Sequence, residues 1–358
     1  MTSSKRVLSV DILRGMTVCL MIIVNNGVGH GQFHTLTHSL WNGMTLCDMV
    51  FPFFLFIMGL SIYLSFSKTD FKWSGEAFWR VLRRSAILLL SCWTIYVIEF
   101  VLRGDCLPFS HLRIPGVLPR IAVSYFIVAL MAMKLDMRVM GWTAVALLGA
   151  YALILTFGNG YENDTTNILA IVDRAVLGES HLYTKAPVDP EGLLGVIPSV
   201  AHTIIGFMSG AVLKSELPMN RKVCFTFLYG TLILLTGVVL SHWLPLNKRI
   251  WSPSYVLVTC GSVAILLSLL MALVDWKGHD RWTPFFMVFG MNSLFLYILS
   301  ELLSCISGFY GIPDASYSIL TGAGLAPAWA SLLYSVLFML LNWTAGYVLY
   351  RKKVFIKV

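Results

Sequence analysis

Long, uninterrupted apolar runs are the feature of this sequence that most limits how the chain can fold. About ten runs approach the ~20 residues that a helix needs to cross a bilayer. Only 12% of the 358 residues are charged, whereas soluble domains carry roughly 25%. So few charges cannot cover a soluble surface, and continuous runs do not fit the short alternating strands of a membrane β-barrel.

The sequence therefore predicts an all-α polytopic membrane protein that forms one domain over residues 1–358. Helix boundaries read from sequence carry an error of a few residues. The predicted spans are 7–27, 45–67, 81–102, 117–134, 139–157, 193–213, 223–244, 251–274, 284–304 and 326–349.

The distribution of Lys and Arg predicts the orientation of these spans. If the N-terminus is cytosolic, 18 of the 26 Lys and Arg residues fall in cytosolic segments and seven fall outside, with Arg14 inside a span. This bias predicts that both termini are cytosolic. Most of the net charge of +8 is then a topological signal, and no soluble basic face indicates binding to nucleic acid.

Polar side chains in the first span are candidates for function, because such groups are costly at membrane depth. Asp11 and Arg14 are three residues apart and share a helix face. They could form a structural ion pair, or Arg14 could face an anionic ligand that enters from the cytosol. Asn25 lies near the other end of the same helix, about 16 Å of helical rise from Arg14.

The segment from Asn25 to Phe56 holds the highest density of polar residues. His30, His34 and His38 are spaced by four, which suits one helix face, but glycines around them indicate a loop, and no metal site is predicted. His38 precedes Asp48 at the start of the second span. A histidine oriented by a carboxylate is a standard general base, although Asp48 could instead only cap the helix.

The sequence resembles the heparan-α-glucosaminide N-acetyltransferases, a family of multi-pass membrane acetyltransferases. The resemblance extends in order over nearly the whole chain. The matching stretches are SVDILRG at 9–15, VNNG at 24–27, HSLWNGMTLCDMVFPFFLFIMG at 38–59, RIPGVLPRIAVSYF at 113–126, DPEGLLG at 189–195, LNKRIWSPSYV at 246–256, GHDRWTPFFMVFGMNS at 278–293 and YRKKVFIKV at 350–358.

The resemblance implies transfer of an acetyl group from cytosolic acetyl-CoA to the amine of a terminal glucosamine across the membrane. The family's catalytic histidine falls on His38, its asparagine on Asn25 and its aspartate on Asp48. The segment between Asn25 and His38 is longer than in the animal enzymes. The luminal domain of those enzymes has no counterpart here, which predicts a bacterial relative in the inner membrane.

We assign roles to further residues on chemical grounds. Carboxylates on the outer side suit a cationic amino sugar, an indole can stack on a sugar ring, and an amide can donate to an oxyanion. Cationic groups near the inner ends suit the phosphates of CoA. The predicted substrate-binding residues are Trp41, Asn42, Asp189 and Glu191, and the predicted cofactor-binding residues are Arg14, Arg83, Arg84 and Lys353.

Two other functions fit the same features. A transporter for sugars or glycan fragments would explain the spans and the intramembrane charges, but it predicts an internal repeat, which the sequence lacks. An O-acyltransferase of an envelope glycan would differ only in its acceptor or its acyl donor. The expected partners are acetyl-CoA, an amino-sugar or glycan acceptor and the lipid bilayer, with a homodimer as a candidate assembly.

Overall fold

The computed structural model describes residues 7–104 and 108–356, and the regular structure within them is helical. Thirteen α-helices are present in these two ranges, with a π-helical turn at Met271–Trp276 and short 3₁₀ turns in the connections. The helices are α1 (Leu8–Asn25), α2 (Leu46–Phe66), α3 (Gly75–Leu102), α4 (Val117–Ala132), α5 (Met137–Phe157), α6 (Ile168–Leu177), α7 (Val196–Lys214), α8 (Met219–Leu240), α9 (Pro253–Leu270), α10 (Thr283–Met291), α11 (Ser293–Phe309), α12 (Ile312–Gly322) and α13 (Pro327–Arg351).

The all-α membrane architecture predicted from the sequence is confirmed, but not the count of about ten spans. Eight helices of the described chain are long and apolar enough to cross a membrane. The predicted span 117–134 is the 16-residue α4, which at ~1.5 Å per residue rises only about 24 Å. The predicted span 284–304 is a broken pair, α10 and α11, bent by 81°.

Asn292 holds the break between α10 and α11. Its Nδ2 donates to the backbone carbonyl of Val354 (3.1 Å), and its Oδ1 accepts from the amide of Ile356 (2.8 Å). The side chain is buried, so the segment after α13 supplies hydrogen bonds to it inside the protein. A break inside an apolar helix is tolerated where such partners satisfy its polar groups.

Helices α2 and α7 pack closely against each other. A Cβ added to Gly59 would overlap the carbonyl oxygen of Thr203, and one added to Gly206 would overlap that of Phe56. Only glycine fits at these two positions, because the backbones approach too closely for any side chain. Such small-residue contacts are the usual means of packing helices in a bilayer.

Alternating helix directions bring five connections to one end of the bundle, which we call the site end. Contacts between these connections place them together. The Gly43 amide donates to the carbonyl of Leu246 (2.8 Å), and the Trp41 indole donates to the carbonyl of Tyr161 (2.8 Å). In the described parts of the chain, the connections are 26–45, 103–104 with 108–116, 158–195, 241–252 and 310–326.

Candidate active site

His38 and Asp48 form a hydrogen-bonded pair at the site end. His38 Nδ1 lies 2.7 Å from Asp48 Oδ1. The Asp48 side chain is fully buried, whereas the His38 side chain is 51% exposed. The pair therefore has a buried carboxylate behind an imidazole that is open to a ligand. This is the arrangement of a general base and its orienting acid.

Asp48 both caps α2 and orients His38, so the two roles considered from the sequence coexist. Its Oδ2 accepts from the backbone amides of Thr45 (3.0 Å) and Ser39 (3.1 Å), and Thr45 and Asp48 form a capping box. An ionised carboxylate can only accept hydrogen bonds. His38 Nδ1 must therefore carry the proton, which leaves the lone pair of the imidazole on Nε2.

Lys248 and Cys47 complete this cluster, and neither was predicted from the sequence as a site residue. Lys248 Nζ lies 3.1 Å from both ring nitrogens of His38 and 3.8 Å from Asp48 Oδ1. Cys47 Sγ lies 3.2 Å from His38 Nδ1. A signal for Lys248 existed, because it is one of only seven basic residues on the predicted outer side.

The loop that carries Lys248 is fixed by contacts with the loop that carries His38. Gly43 and Asn247 form a parallel β-bridge, and Asn247 Nδ2 donates to Asn42 Oδ1 (3.1 Å). Trp251, at the end of the Lys248 loop, is buried against Phe51. The predicted substrate-binding residue Asn42 thus helps to join the two halves of the site.

Burial shifts the pKa of Lys248. Its side chain is only 14% exposed, and removal from water lowers the pKa of the ammonium below its usual value. The carboxylates of Glu191 and Asp48 act in the opposite direction. A larger share of neutral amine is therefore present at Lys248 than at an exposed lysine.

The predicted acceptor carboxylates, Asp189 and Glu191, are paired with an arginine. Arg113 Nη2 lies 2.6 Å from Asp189 Oδ1 and 2.7 Å from Glu191 Oε2. Asp189 is buried and also accepts from the backbone amide of Tyr183 (2.9 Å). Burial acts to lower the pKa of Arg113, but the two carboxylates outweigh it and raise that pKa above its usual value. Asp189 thus anchors the loop, and Glu191 is the carboxylate whose charge reaches Lys248.

Asn25 also lies at the site end, but its side chain bonds to Glu301 and not to the His38–Asp48 pair. Its Nδ2 donates to Glu301 Oε1 (3.2 Å) on α11. Glu301 lines a cavity of about 460 Å³ between α3 and α11, together with Tyr96, Glu99 and Arg103. An ion pair with Arg103 neutralises Glu99. Asn25 thus bonds to a residue that lines this cavity.

The predicted cofactor residues lie toward the opposite end of the bundle. Arg14 Nη1 contacts Asp11 Oδ1 (3.0 Å) and its Nη2 donates to Ser61 Oγ (2.8 Å), so the ion pair considered from the sequence is present. Arg84 lies over the ring of Tyr125 at 4.7 Å. The remaining two predicted residues are exposed on α3 and after α13; they are Arg83 and Lys353.

His30 and His34 do not join the cluster around His38. Both are exposed, and the His30 carbonyl accepts from the hydroxyl of Tyr317 (2.9 Å). Within residues 7–104 and 108–356, no three His, Cys, Asp or Glu side chains are grouped so that they could hold a metal ion.

Comparison with known proteins agrees with the resemblance noted in the sequence. Residues 6–239 match the profile described as heparan-α-glucosaminide N-acetyltransferase, catalytic. The human and mouse heparan-α-glucosaminide N-acetyltransferases are each 30% identical to this chain, over 418 and 420 aligned positions. These alignments cover 99% and 100% of this chain but only 60% and 61% of the relatives.

Proposed function

This chain belongs to the heparan-α-glucosaminide N-acetyltransferase family, and we propose that it is a transmembrane acetyltransferase. It moves the acetyl group of cytosolic acetyl-CoA to the amine of a terminal glucosamine-type sugar on the opposite side of the membrane. The observation that carries this proposal is the His38–Asp48 pair, with its 2.7 Å hydrogen bond, at the site end. Both termini are cytosolic in this proposal, and the site end faces outward.

His38 acts as the general base. The Nε2 lone pair takes a proton from the acceptor ammonium or amine as the nitrogen attacks the thioester carbonyl. The new N–C bond forms, the C–S bond breaks, and the CoA thiolate leaves and is protonated. Asp48 stabilises the imidazolium that forms. In an alternative two-step route, His38 Nε2 acts as the nucleophile: it attacks the thioester, the C–S bond breaks, and CoA leaves. The acceptor amine then attacks the acetyl-imidazole, and the N–C bond to His38 breaks.

The donor reaches His38 by extending through the bundle. An extended pantetheine chain spans on the order of 15–20 Å, against ~30 Å for the hydrocarbon core, so the nucleotide must enter partway from the cytosolic end. Arg14 is the first candidate for the CoA phosphates, because it is a cation within that end of the bundle. Arg83, Arg84 and Lys353 are further candidates near the same end.

The acceptor is proposed to approach through the cavity at the site end. About 460 Å³ is enough for a sugar of one or two units. Glu301 faces this cavity with the neutral amide of Asn25 as its hydrogen-bond partner, which suits an incoming ammonium. Trp41 and Asn42 lie in the His38 loop, where they can contact the sugar and the developing oxyanion.

A transfer assay tests this proposal. The purified protein in nanodiscs is incubated with radiolabelled acetyl-CoA and glucosamine, beside His38→Ala and the matched control His34→Ala. We expect label on the amine with wild type and His34→Ala, and a loss of about 10²-fold or more with His38→Ala. Near-normal transfer by His38→Ala would remove His38 from the mechanism.

One observation favours a second candidate function, a transporter. The α10–α11 pair is a broken helix, and broken helices line substrate sites in many transporters. This candidate predicts uptake of a sugar into proteoliposomes without acetyl-CoA. Acetyl-CoA binding without transfer to glucosamine would instead direct the search to hydroxyl acceptors.

A further inference from the structure

The ammonium of Lys248 occupies the position that an acceptor amine needs. A general base must lie within about 2.6–3.2 Å of the nitrogen whose proton it takes. Lys248 Nζ meets this condition at 3.1 Å from His38 Nε2, and Asp48 already engages Nδ1. The protein thus places one of its own primary amines beside its base.

Burial favours the neutral form of this amine more than that of an exposed lysine at the site end. The pKa of Lys248 is lowered by removal from water, with Glu191 and Asp48 opposing this effect. Lys185 offers a comparison, because it lies in the 158–195 connection and is exposed. Only the neutral amine attacks a carbonyl, so the lowered pKa favours attack by Lys248 over attack by an exposed lysine, and the position beside His38 adds to this preference.

We propose that Lys248 is a self-acetylation site, modified when the acetyl donor is bound and no acceptor sugar is present. This inference rests on the proposed function, because it requires the thioester to reach His38. Lys248 Nζ attacks the thioester carbonyl, an N–C amide bond forms, and the C–S bond breaks. The proton that leaves the nitrogen passes to His38, and the CoA thiolate is then protonated.

The acetylated state is inactive. An amide nitrogen does not return its acetyl group to an amine under these conditions, so the modification is not an intermediate. It replaces a cation beside Asp48 with a neutral group that fills the space in front of His38. An acceptor amine that displaces Lys248 from His38 protects the enzyme, so the protein loses activity only when donor is present without acceptor.

Peptide mapping by mass spectrometry tests this inference. The full chain in nanodiscs is incubated with acetyl-CoA alone, with acetyl-CoA plus saturating glucosamine, or as His38→Ala with acetyl-CoA. We expect acetyl-Lys248 to accumulate in the first sample at least about tenfold above acetyl-Lys185, since a general base contributes ~10²–10⁴ to such steps. Glucosamine and the His38→Ala substitution should each return Lys248 to the level of Lys185.

A second measurement follows activity after preincubation with acetyl-CoA alone. Wild type should lose transfer activity in step with acetylation, whereas Lys248→Arg, relative to its own starting rate, should not decay. Equal acetylation of Lys248 and Lys185, or equal acetylation in wild type and His38→Ala, overturns the inference. If glucosamine is acetylated while Lys248 stays unmodified, only this inference fails; if neither is acetylated, the proposed function fails with it.

Discussion

Replacing Asp48 with asparagine separates the two functions that this side chain combines. Oδ2 accepts from the backbone amides of Thr45 and Ser39, so the oxygen of the introduced carboxamide must remain on that side. The amide nitrogen must then face His38 Nδ1, where Oδ1 lies now. Because that nitrogen is a donor, Nδ1 has to become the acceptor and the proton moves to Nε2. The lone pair that takes the acceptor's proton is lost.

The expected loss in rate follows from two contributions. The imidazolium loses a hydrogen bond to a charged partner, which is worth about 1.5–3 kcal/mol, or roughly 10- to 150-fold. The exchanged tautomer removes the base, which contributes ~10²–10⁴. The two losses overlap, so we expect kcat of Asp48→Asn to fall by about 10²–10⁴. The helix cap is largely kept, so the fold should lose no more than about 1 kcal/mol.

The assay is steady-state acetyl transfer to glucosamine at saturating concentrations of both substrates, with thermal unfolding measured on the same samples. Thr45→Ala is the matched control. It weakens the capping box while the His38–Asp48 hydrogen bond remains, so it should lower stability and leave kcat within a few-fold. If Asp48→Asn retains kcat within about threefold of wild type, Asp48 only caps the helix and the tautomer argument is refuted.

Three further predictions test other parts of the protein. Arg14→Ala should raise the KM for acetyl-CoA about tenfold or more and leave that for glucosamine unchanged; equal changes in both would indicate only the ion pair with Asp11. Burial raises the pKa of Asp173 to about 6. As pH rises from the ordinary carboxyl pKa through about 6, the wild type should therefore lose about 2–3 kcal/mol of folding stability. Asp173→Asn should show a flatter dependence of Tm on pH. Asn247→Ala breaks the bond to Asn42 and should lower kcat by roughly tenfold with the KM for acetyl-CoA unchanged; an unaltered kcat would show that the loop contact does not position the site.

The sequence predicted the helical architecture because each apolar run is a local signal. The break between α10 and α11 could not be predicted from the same signal. At the 81° bend, the side chain of Asn292 forms hydrogen bonds with the backbone of Val354 and Ile356. No local sequence pattern around Asn292 predicts partners so far along the chain.

In the candidate site too, contacts between residues close in sequence could be predicted, and contacts between distant residues could not. The His38–Asp48 pair spans ten residues and matched a family motif, so the sequence could propose it. Lys248 is 210 residues from His38, and only the folded chain brings them together. Asp189 was predicted to meet a cationic sugar, but its cation is Arg113, 76 residues earlier. The charge of Asp189 predicted a cationic partner but did not identify it as Arg113.

The contacts of Asn292 also bear on the order in which the protein assembles. The two residues that bond to its side chain follow it by 62 and 64 positions, with α11, α12 and α13 in between. During synthesis, the break between α10 and α11 must therefore wait for its hydrogen bonds until α13 has entered the bilayer. These hydrogen bonds therefore form among the last steps of assembly. A truncation before residue 354, which removes both backbone partners, should show itself as failed biogenesis rather than as slow chemistry.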